Sequence, residues 1–188
     1  MTVGLLGGSF NPAHDGHREI SLQALRRMQL DQVWWLVSPQ NPLKSADDLA
    51  DYDARVAKAR AVADHPRIRV SDFERRRKLQ YTYDTLRALI ARHGGVRFVW
   101  LMGADNLQTF HKWAQWRAIA GLVPIAVFAR PGYELSAPLS KAAQVFSYAR
   151  VDERQSNMFG LRQPPAWIYL PETRNPLSST QIRAGGSA

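Results

Sequence analysis

Apolar positions recur along the chain with two periods, and the periods take turns. Thr2 to Leu6 is a short apolar run closed by Gly7-Gly8, the pattern of a strand entering a turn. Residues 16 to 29 carry Ile20, Ala24, Leu25 and Met28 at the spacing of one helix face. Val33 to Val37, rich in Trp and Val, reads as a second strand. Val56, Ala59 and Val62 predict a helix over Asp51 to Asp64, and Ile68 to Val70 a short third strand. Thr82 to His93 carries the clearest helical stripe, Leu86, Leu89 and Ile90, and Gly94-Gly95 ends it. Val96 to Met102 is continuously apolar, as a strand buried on both faces should be. Asp105 to Ala120 is predicted helical, with a strand after it at Val123 to Ala129. Pro138 to Phe146 has a helical pattern, Trp167 to Leu170 reads as the last strand, and Ser179 to Arg183 as a helical turn. Ser38 to Ser45, Arg130 to Ala137 and Gln155 to Pro165 are the loop-like stretches.

Alternating strands and helices imply right-handed crossovers and a parallel sheet covered on both faces. The expected fold is α/β, a Rossmann-like doubly wound sheet of five to six strands. No repeat and no linker-like stretch divides the 188 residues, so a single domain over 1–188 is expected.

Composition narrows this picture. The chain is 45% hydrophobic and 22% charged, which fits a folded globular domain. It has no cysteine, which excludes disulfides, thiolate metal sites and a cysteine nucleophile. The first apolar run is too short for a secretion signal and lacks a basic leader, so a cytoplasmic protein is expected, with no membrane partner. The net charge of +9 is compatible with arginines scattered over solvated helix faces or with a field that draws in anionic substrates. Glu74 to Lys78, ERRRK, is a basic run that would tempt a nucleic-acid reading; it is short, without interleaved aromatics, and expected in a solvated loop.

The chemistry is concentrated after the first strand, in GGSFNPAHDGHREI. Open α/β sheets bind ligands beyond the carboxyl ends of their strands, where loops lead into helices. Gly7 and Gly8 permit close approach of backbone to a ligand. A helix beginning near Asp15 or Gly16 points free N–H groups at the same crevice, which favours phosphate. The segment lacks the G-x-x-x-x-G-K-[ST] of a P-loop and has no G-x-G-x-x-G. It has H-x-G-H instead. His14 and His17, separated by Gly16, can both face one phosphate chain and donate to charge developing on its oxygens. Capping or core histidines are the structural alternative, and zinc lacks a third ligand at usual spacing.

GGSFNPAHDGH resembles the signature of the H-x-G-H nucleotidyltransferase superfamily. QYTYDTL at 80 to 86, MGADNLQTFHKWAQW at 102 to 116, ARPG at 129 to 132 and LSSTQIR at 177 to 183 follow in order, and together they resemble the bacterial nicotinate-nucleotide adenylyltransferases. That family makes deamido-NAD from ATP and nicotinate mononucleotide in NAD biosynthesis. Ser9, Asn11 and Gln80 stand where its members usually have Thr, Asp, and Ser or Thr. The resemblance implies that His14, His17 and Arg183 are catalytic and that Gly7, Gly8, Ser9, Phe10, Gly103, Asp105, Ser179 and Thr180 join them around ATP. It implies that Ser9, Lys44, Thr82, Trp113 and Arg130 receive the mononucleotide, with Trp113 stacking on the pyridine ring. Mg²⁺ would come with ATP, held mainly by the substrate and not by protein side chains.

Residue chemistry agrees with parts of this. Ser178 or Ser179 can cap a short helix, and Arg183 offers a fixed fork of donors. Asp105 follows the buried strand and can accept from ribose hydroxyls or cap a helix. Trp113 and Trp116 would share one side of the predicted helix, with Trp116 equally suited to the core. Sister transferases acting on nicotinamide mononucleotide or phosphopantetheine, a nucleic-acid-binding protein and a nucleotide sensor on the same fold are the alternatives. Monomer and homodimer are both open.

Overall fold

The computed structural model describes residues 1–39, 49–130, 132–133 and 136–170. Seven strands form one sheet: β1 Thr2–Gly8, β2 Gln32–Val37, β3 Ile68–Ser71, β4 Arg97–Gly103, β5 Ile125–Phe128, β6 Arg150–Val151 and β7 Trp167–Leu170. Their order is β3-β2-β1-β4-β5-β7-β6, and every neighbouring pair is parallel. The Rossmann-like α/β class expected from the sequence is the one observed, with seven strands where five to six were expected. The strand that pattern could not reveal is β6, two residues at the sheet edge, too short to carry a period.

The chain leaves β1 for β2 and β3 on one side, then returns past β1 to begin β4 on the other. The strand order therefore reverses between β1 and β4. Loops leaving the carboxyl ends of those two strands turn to opposite faces and open a crevice between them, where such sheets bind ligands.

Helices cover both faces. On one, α1 Asp15–Arg27 contributes Ile20, Ala24 and Leu25, and α2 Tyr52–Val62 contributes Val56 and Ala59, to a core with Trp35, Leu101 and Phe128. The other core joins Leu86 and Leu89 of α4 Thr82–Arg92 to Trp100, Met102 and Val127. In chain order α3 Phe73–Arg77 precedes α4, and its Phe73 joins this second core.

Several local expectations are revised by tertiary contacts. The helix predicted over Asp105 to Ala120 is three pieces: α5 Ala104–Thr109, a 3₁₀ turn Phe110–Lys112 and α6 Trp116–Leu122. Gln115, at φ 55°, turns the chain before α6. Trp113 and Trp116 therefore do not share a helix side. Trp116 is buried against Phe110 and Phe146, while Trp113 stays half-buried. Pro138 to Phe146 resolves into a 3₁₀ turn Ala137–Leu139 and α7 Lys141–Val145, which Ser140 caps. Much of the loop expected from Gln155 lies in a 3₁₀ stretch, Glu153–Leu161, anchored by buried Phe159.

The ERRRK run is α3 and its cap, not a loop. Phe73 and Glu74 are buried while the arginines point outward, and Lys78 ends the helix in the left-handed region. Arg75 pairs with Asp53 at 2.6 Å, Arg76 with Asp72 at 2.8 Å, and Arg77 lies over the Phe73 ring. The run is a partnered, solvated helix face. Among the described residues no helix is long and apolar enough to cross a membrane.

Candidate active site

β1 ends at Gly8, and the chain passes through Ser9 to Ala13 before α1 begins. Phe10 sits at φ 47°, a left-handed turn that swings the loop back over the sheet. Its ring is buried, stacked on Trp35 at 5.0 Å and packed against His17 at 4.7 Å. Phe10 thus supports the second histidine with its side chain, leaving its backbone as the part that can meet a ligand.

His14 is the N-cap of α1, and the pair forms a reciprocal cap. Gly16 N–H donates to His14 Nδ1 at 3.1 Å, and His14 N–H donates to His17 Nδ1 at 3.3 Å. The capping role open to these histidines from the sequence is thus the one that both rings take. A ring whose Nδ1 accepts carries its proton on Nε2 when neutral. The cap therefore aims two N–H donors away from the helix. The ring centroids are 4.0 Å apart. Ser21 donates to the His17 backbone carbonyl at 2.8 Å and accepts from Trp35 Nε1 at 2.8 Å, which fixes Trp35, whose ring lies 5.8 Å from that of His17.

His14 is buried, and its Nε2 has no hydrogen-bond partner among the described residues. Burial lowers its pKa from 6.5 to about 4, helped by the charge of Arg130 and opposed by Asp15 and Asp105. It is a neutral donor at physiological pH. An unsatisfied buried N–H costs about 1–3 kcal/mol, which an incoming anionic oxygen would recover.

The field from Arg130 and Asp105 reaches His14 because β1 and β4 are neighbours. Gly103 ends β4 and caps α5, Asp105 lies in the first turn of α5, and Arg130 follows β5. Arg130 Nε and Asp105 Oδ1 are 3.3 Å apart. A Cβ on Gly103 would fall 2.4 Å from Asp105 Oδ1 and 2.8 Å from Arg130 Nε, so this glycine makes room for the ion pair. Sequence reading had Asp105 as a possible cap; the capping position is Gly103.

Gly7 has a different reason to be bare. A Cβ there would lie 2.4 Å from the Trp100 ring, so its missing side chain is replaced by tryptophan. Trp100 in turn meets Trp113 edge-on at 6.2 Å, and Phe110 meets Trp113 at 5.4 Å. Gly8 has only ordinary contacts with Phe10 at its missing Cβ. Thr82 is the first residue of α4 and is half-buried; Tyr81 precedes it as the N-cap.

The crevice thus gathers His14, His17 and Ser9 from the β1 loop, and Gly103, Asp105 and Arg130 from the β4 and β5 ends. Trp113 and Thr82 belong to the elements packed on the α4 face. Lys44, Ser179, Thr180 and Arg183 lie outside the described residues.

Two further residues were not singled out in the sequence. Arg55 of α2 is buried, and its guanidinium donates to four backbone carbonyls. Glu74 of α3 is buried, accepts from Thr85 Oγ1 at 2.9 Å and bonds the Ser38 side chain; burial raises its pKa from 4.5 to about 7. Their local patterns are those of exposed helix charges. The available signal was a charged residue directly beside an apolar core position, as Arg55 stands beside Val56 and Glu74 beside Phe73.

Among the described residues no group of three or more His, Asp or Glu is placed to hold a metal ion. The donors present are imidazole N–H groups and a guanidinium already beside a carboxylate, a set suited to anionic oxygen.

Residues 5–185 match the cytidylyltransferase-like family. A probable nicotinate-nucleotide adenylyltransferase of Methylorubrum extorquens is 52% identical, with 97% of this chain and 99% of the relative covered. A protein of the same description from Ruegeria sp. is 51% identical over 100% of this chain and 98% of its own length. The Plasmodium falciparum nicotinic acid mononucleotide adenylyltransferase complexed with NaAD has the same fold, with a TM-score of 0.72 at 17% identity, covering 97% of this chain and 82% of that one. Half the residues shared over the full length, on a sheet whose switch point carries the paired histidines, is the mark of common descent: the chain belongs to the nicotinate-nucleotide adenylyltransferase family, within the cytidylyltransferase-like proteins.

Proposed function

We propose that this chain transfers the adenylyl group of ATP to the phosphate of nicotinate mononucleotide. A phosphate oxygen of the mononucleotide attacks the α-phosphorus of ATP. The bond from that phosphorus to the bridging β-phosphate oxygen breaks in line, giving deamido-NAD and pyrophosphate. The attacking oxygen is already anionic near neutral pH, so the step requires neither a strong base nor a covalent enzyme intermediate.

The observation that carries this reading is the reciprocal histidine cap. It turns Nδ1 of each ring into an acceptor for its own helix and leaves Nε2–H as a donor at the switch point. His14, neutral because it is buried, donates to phosphate oxygen without having to be charged first. His17, its ring packed against Phe10 and Trp35, donates beside it. These donors stabilise charge that grows in the transition state. In this proposal Arg183, with Ser179 and Thr180 from the C-terminal S-S-T-x-x-R segment at 178–183, completes the triphosphate site. Asp105 and the Gly103 backbone receive adenosine. Thr82, Trp113, Arg130 and Lys44 receive the acceptor, Trp113 by stacking on its ring. Mg²⁺ belongs to the nucleotide substrate and neutralises phosphate charge. A cytoplasmic location is part of the same proposal.

Pyrophosphate release from Mg²⁺ and ATP, measured with nicotinate mononucleotide, nicotinamide mononucleotide and phosphopantetheine, tests it. The nicotinate compound should give the highest kcat/KM. No release with it, or faster turnover of either rival, would overturn the assignment.

A further inference from the structure

Arg55 is a buried cation with which, among the described residues, no carboxylate forms an ion pair. It is 3% exposed, and burial lowers its pKa despite the opposing charges of Tyr52 and Asp51. Among the described residues its guanidinium donates to backbone oxygen. Nη1 donates to the Ser9 carbonyl at 2.6 Å and the Ser38 carbonyl at 2.9 Å. Nη2 donates to the Pro39 carbonyl at 3.0 Å, and Nε to the Ala50 carbonyl at 3.0 Å.

These oxygens come from three stretches of chain. Ser9 begins the histidine loop, Ser38 and Pro39 follow β2, and Ala50 leads into α2. The β1–β2 ladder ends at the pair Gly8 and Val37, with one more bond from Ser38 N–H to the Gly8 carbonyl. Beyond that point the ladder no longer sets the distance between the two strands' exits. The guanidinium stands there in its place. Its planar fork fixes several acceptors at once, which a flexible ammonium does not. Ala50 carries a second tie to the same loop, since its N–H donates to Asn11 Oδ1 at 3.2 Å. If the position served only to fill the core, an apolar side chain of similar volume would do so without desolvating a charge.

We propose that Arg55 is a positioning residue for adenylyl transfer: through the Ser9 carbonyl it sets the path of the loop that delivers His14 and His17, and through Ser38 it registers that loop against the end of β2. Arg55 touches no substrate. It acts by holding the imidazole donors where charge develops, and displacement of such donors by about 1 Å can cost about a hundredfold in rate.

The proposal rests on the adenylyltransferase reading, and its test has one arm that does not. The full-length variants Arg55→Lys and Arg55→Met are compared with the parent chain by thermal unfolding, by kcat and KM for both substrates, and by long-range ¹H–¹⁵N spectra of the histidines without substrate. Arg55→Lys keeps the charge but cannot reach all four carbonyls. It should unfold cooperatively, lose about tenfold to a hundredfold in kcat and change either KM by less than about threefold. Its His14 and His17 spectra should lose the uniform Nε2–H pattern. Arg55→Met should behave alike or worse. A folded Arg55→Lys protein with parental kcat and parental histidine spectra would overturn the proposal. So would a failure of Arg55→Lys to fold, which would make Arg55 a folding residue. If the parent chain turns over none of the acceptors, the spectra still decide whether Arg55 orders the histidines, while the reaction assignment fails separately.

Discussion

Replacing Glu74 by Gln isolates the energetic consequence of one buried carboxyl. Glu74 is 6% exposed, accepts from Thr85 and meets the Ser38 side chain, and no cation is among the causes of its shift. In the folded chain it keeps its proton up to about pH 7, whereas its ordinary value is 4.5. The folded state therefore binds the extra proton between those values. The stability contributed by the protonated form is complete below 4.5 and is lost as pH rises to about 7. At about 1.4 kcal/mol per pH unit, the loss over this window is about 3 kcal/mol as an upper figure.

His14 pulls the other way. Its folded pKa of about 4 lies below the ordinary 6.5, so falling pH destabilises the fold between 6.5 and about 4. The two slopes oppose each other where the windows overlap, and the parent chain masks both. Gln at 74 can still accept from Thr85 and can donate to Ser38, but it does not titrate. The unfolding free energy of Glu74→Gln minus that of the parent, from urea titrations, should therefore grow by about 2–3 kcal/mol between about pH 5 and about pH 8. In the variant alone, the rise with pH due to His14 should become visible. A difference constant to within about 0.5 kcal/mol across that range would refute the reasoning, because Glu74 would then ionise as an exposed carboxyl does.

Other perturbations test the site directly. His17→Ala removes one donor packed on Phe10 together with half of the reciprocal cap, so kcat should fall by about 10²–10³ while circular dichroism stays near parental and denaturant titrations show a loss of about 0.5–2 kcal/mol; near-normal turnover would remove this histidine from the mechanism. Gly7→Ala places a methyl group 2.4 Å from the Trp100 ring, which is backed by Trp113. It should destabilise by about 1–3 kcal/mol in denaturant titrations and raise KM for the mononucleotide more than KM for ATP.

Much of this protein can be read from its residues alone. Apolar runs of four to seven residues alternating with amphipathic stripes require a parallel sheet with helices on both faces, because only that arrangement buries both patterns. The histidine pair could be found because its spacing around Gly16 and its place after the first strand are local properties. The order β3-β2-β1-β4-β5-β7-β6 was not legible, since the side on which each crossover lands depends on contacts far apart in the chain. The break between α5 and α6 was hidden for a related reason: Trp116 and Trp113 carry a helical spacing, but burial of one against Phe110 and Phe146 turns the chain at Gln115. Bare positions such as Gly7 and Gly103 announce that something approaches closely without saying what. Only the packed structure shows a core ring at one and an ion pair at the other. Charge conceals most. Arg55 and Glu74 look like solvated helix residues until folding surrounds them, because burial, and with it the strength of every hydrogen bond they make, is a property of the assembled neighbours and not of the residue itself.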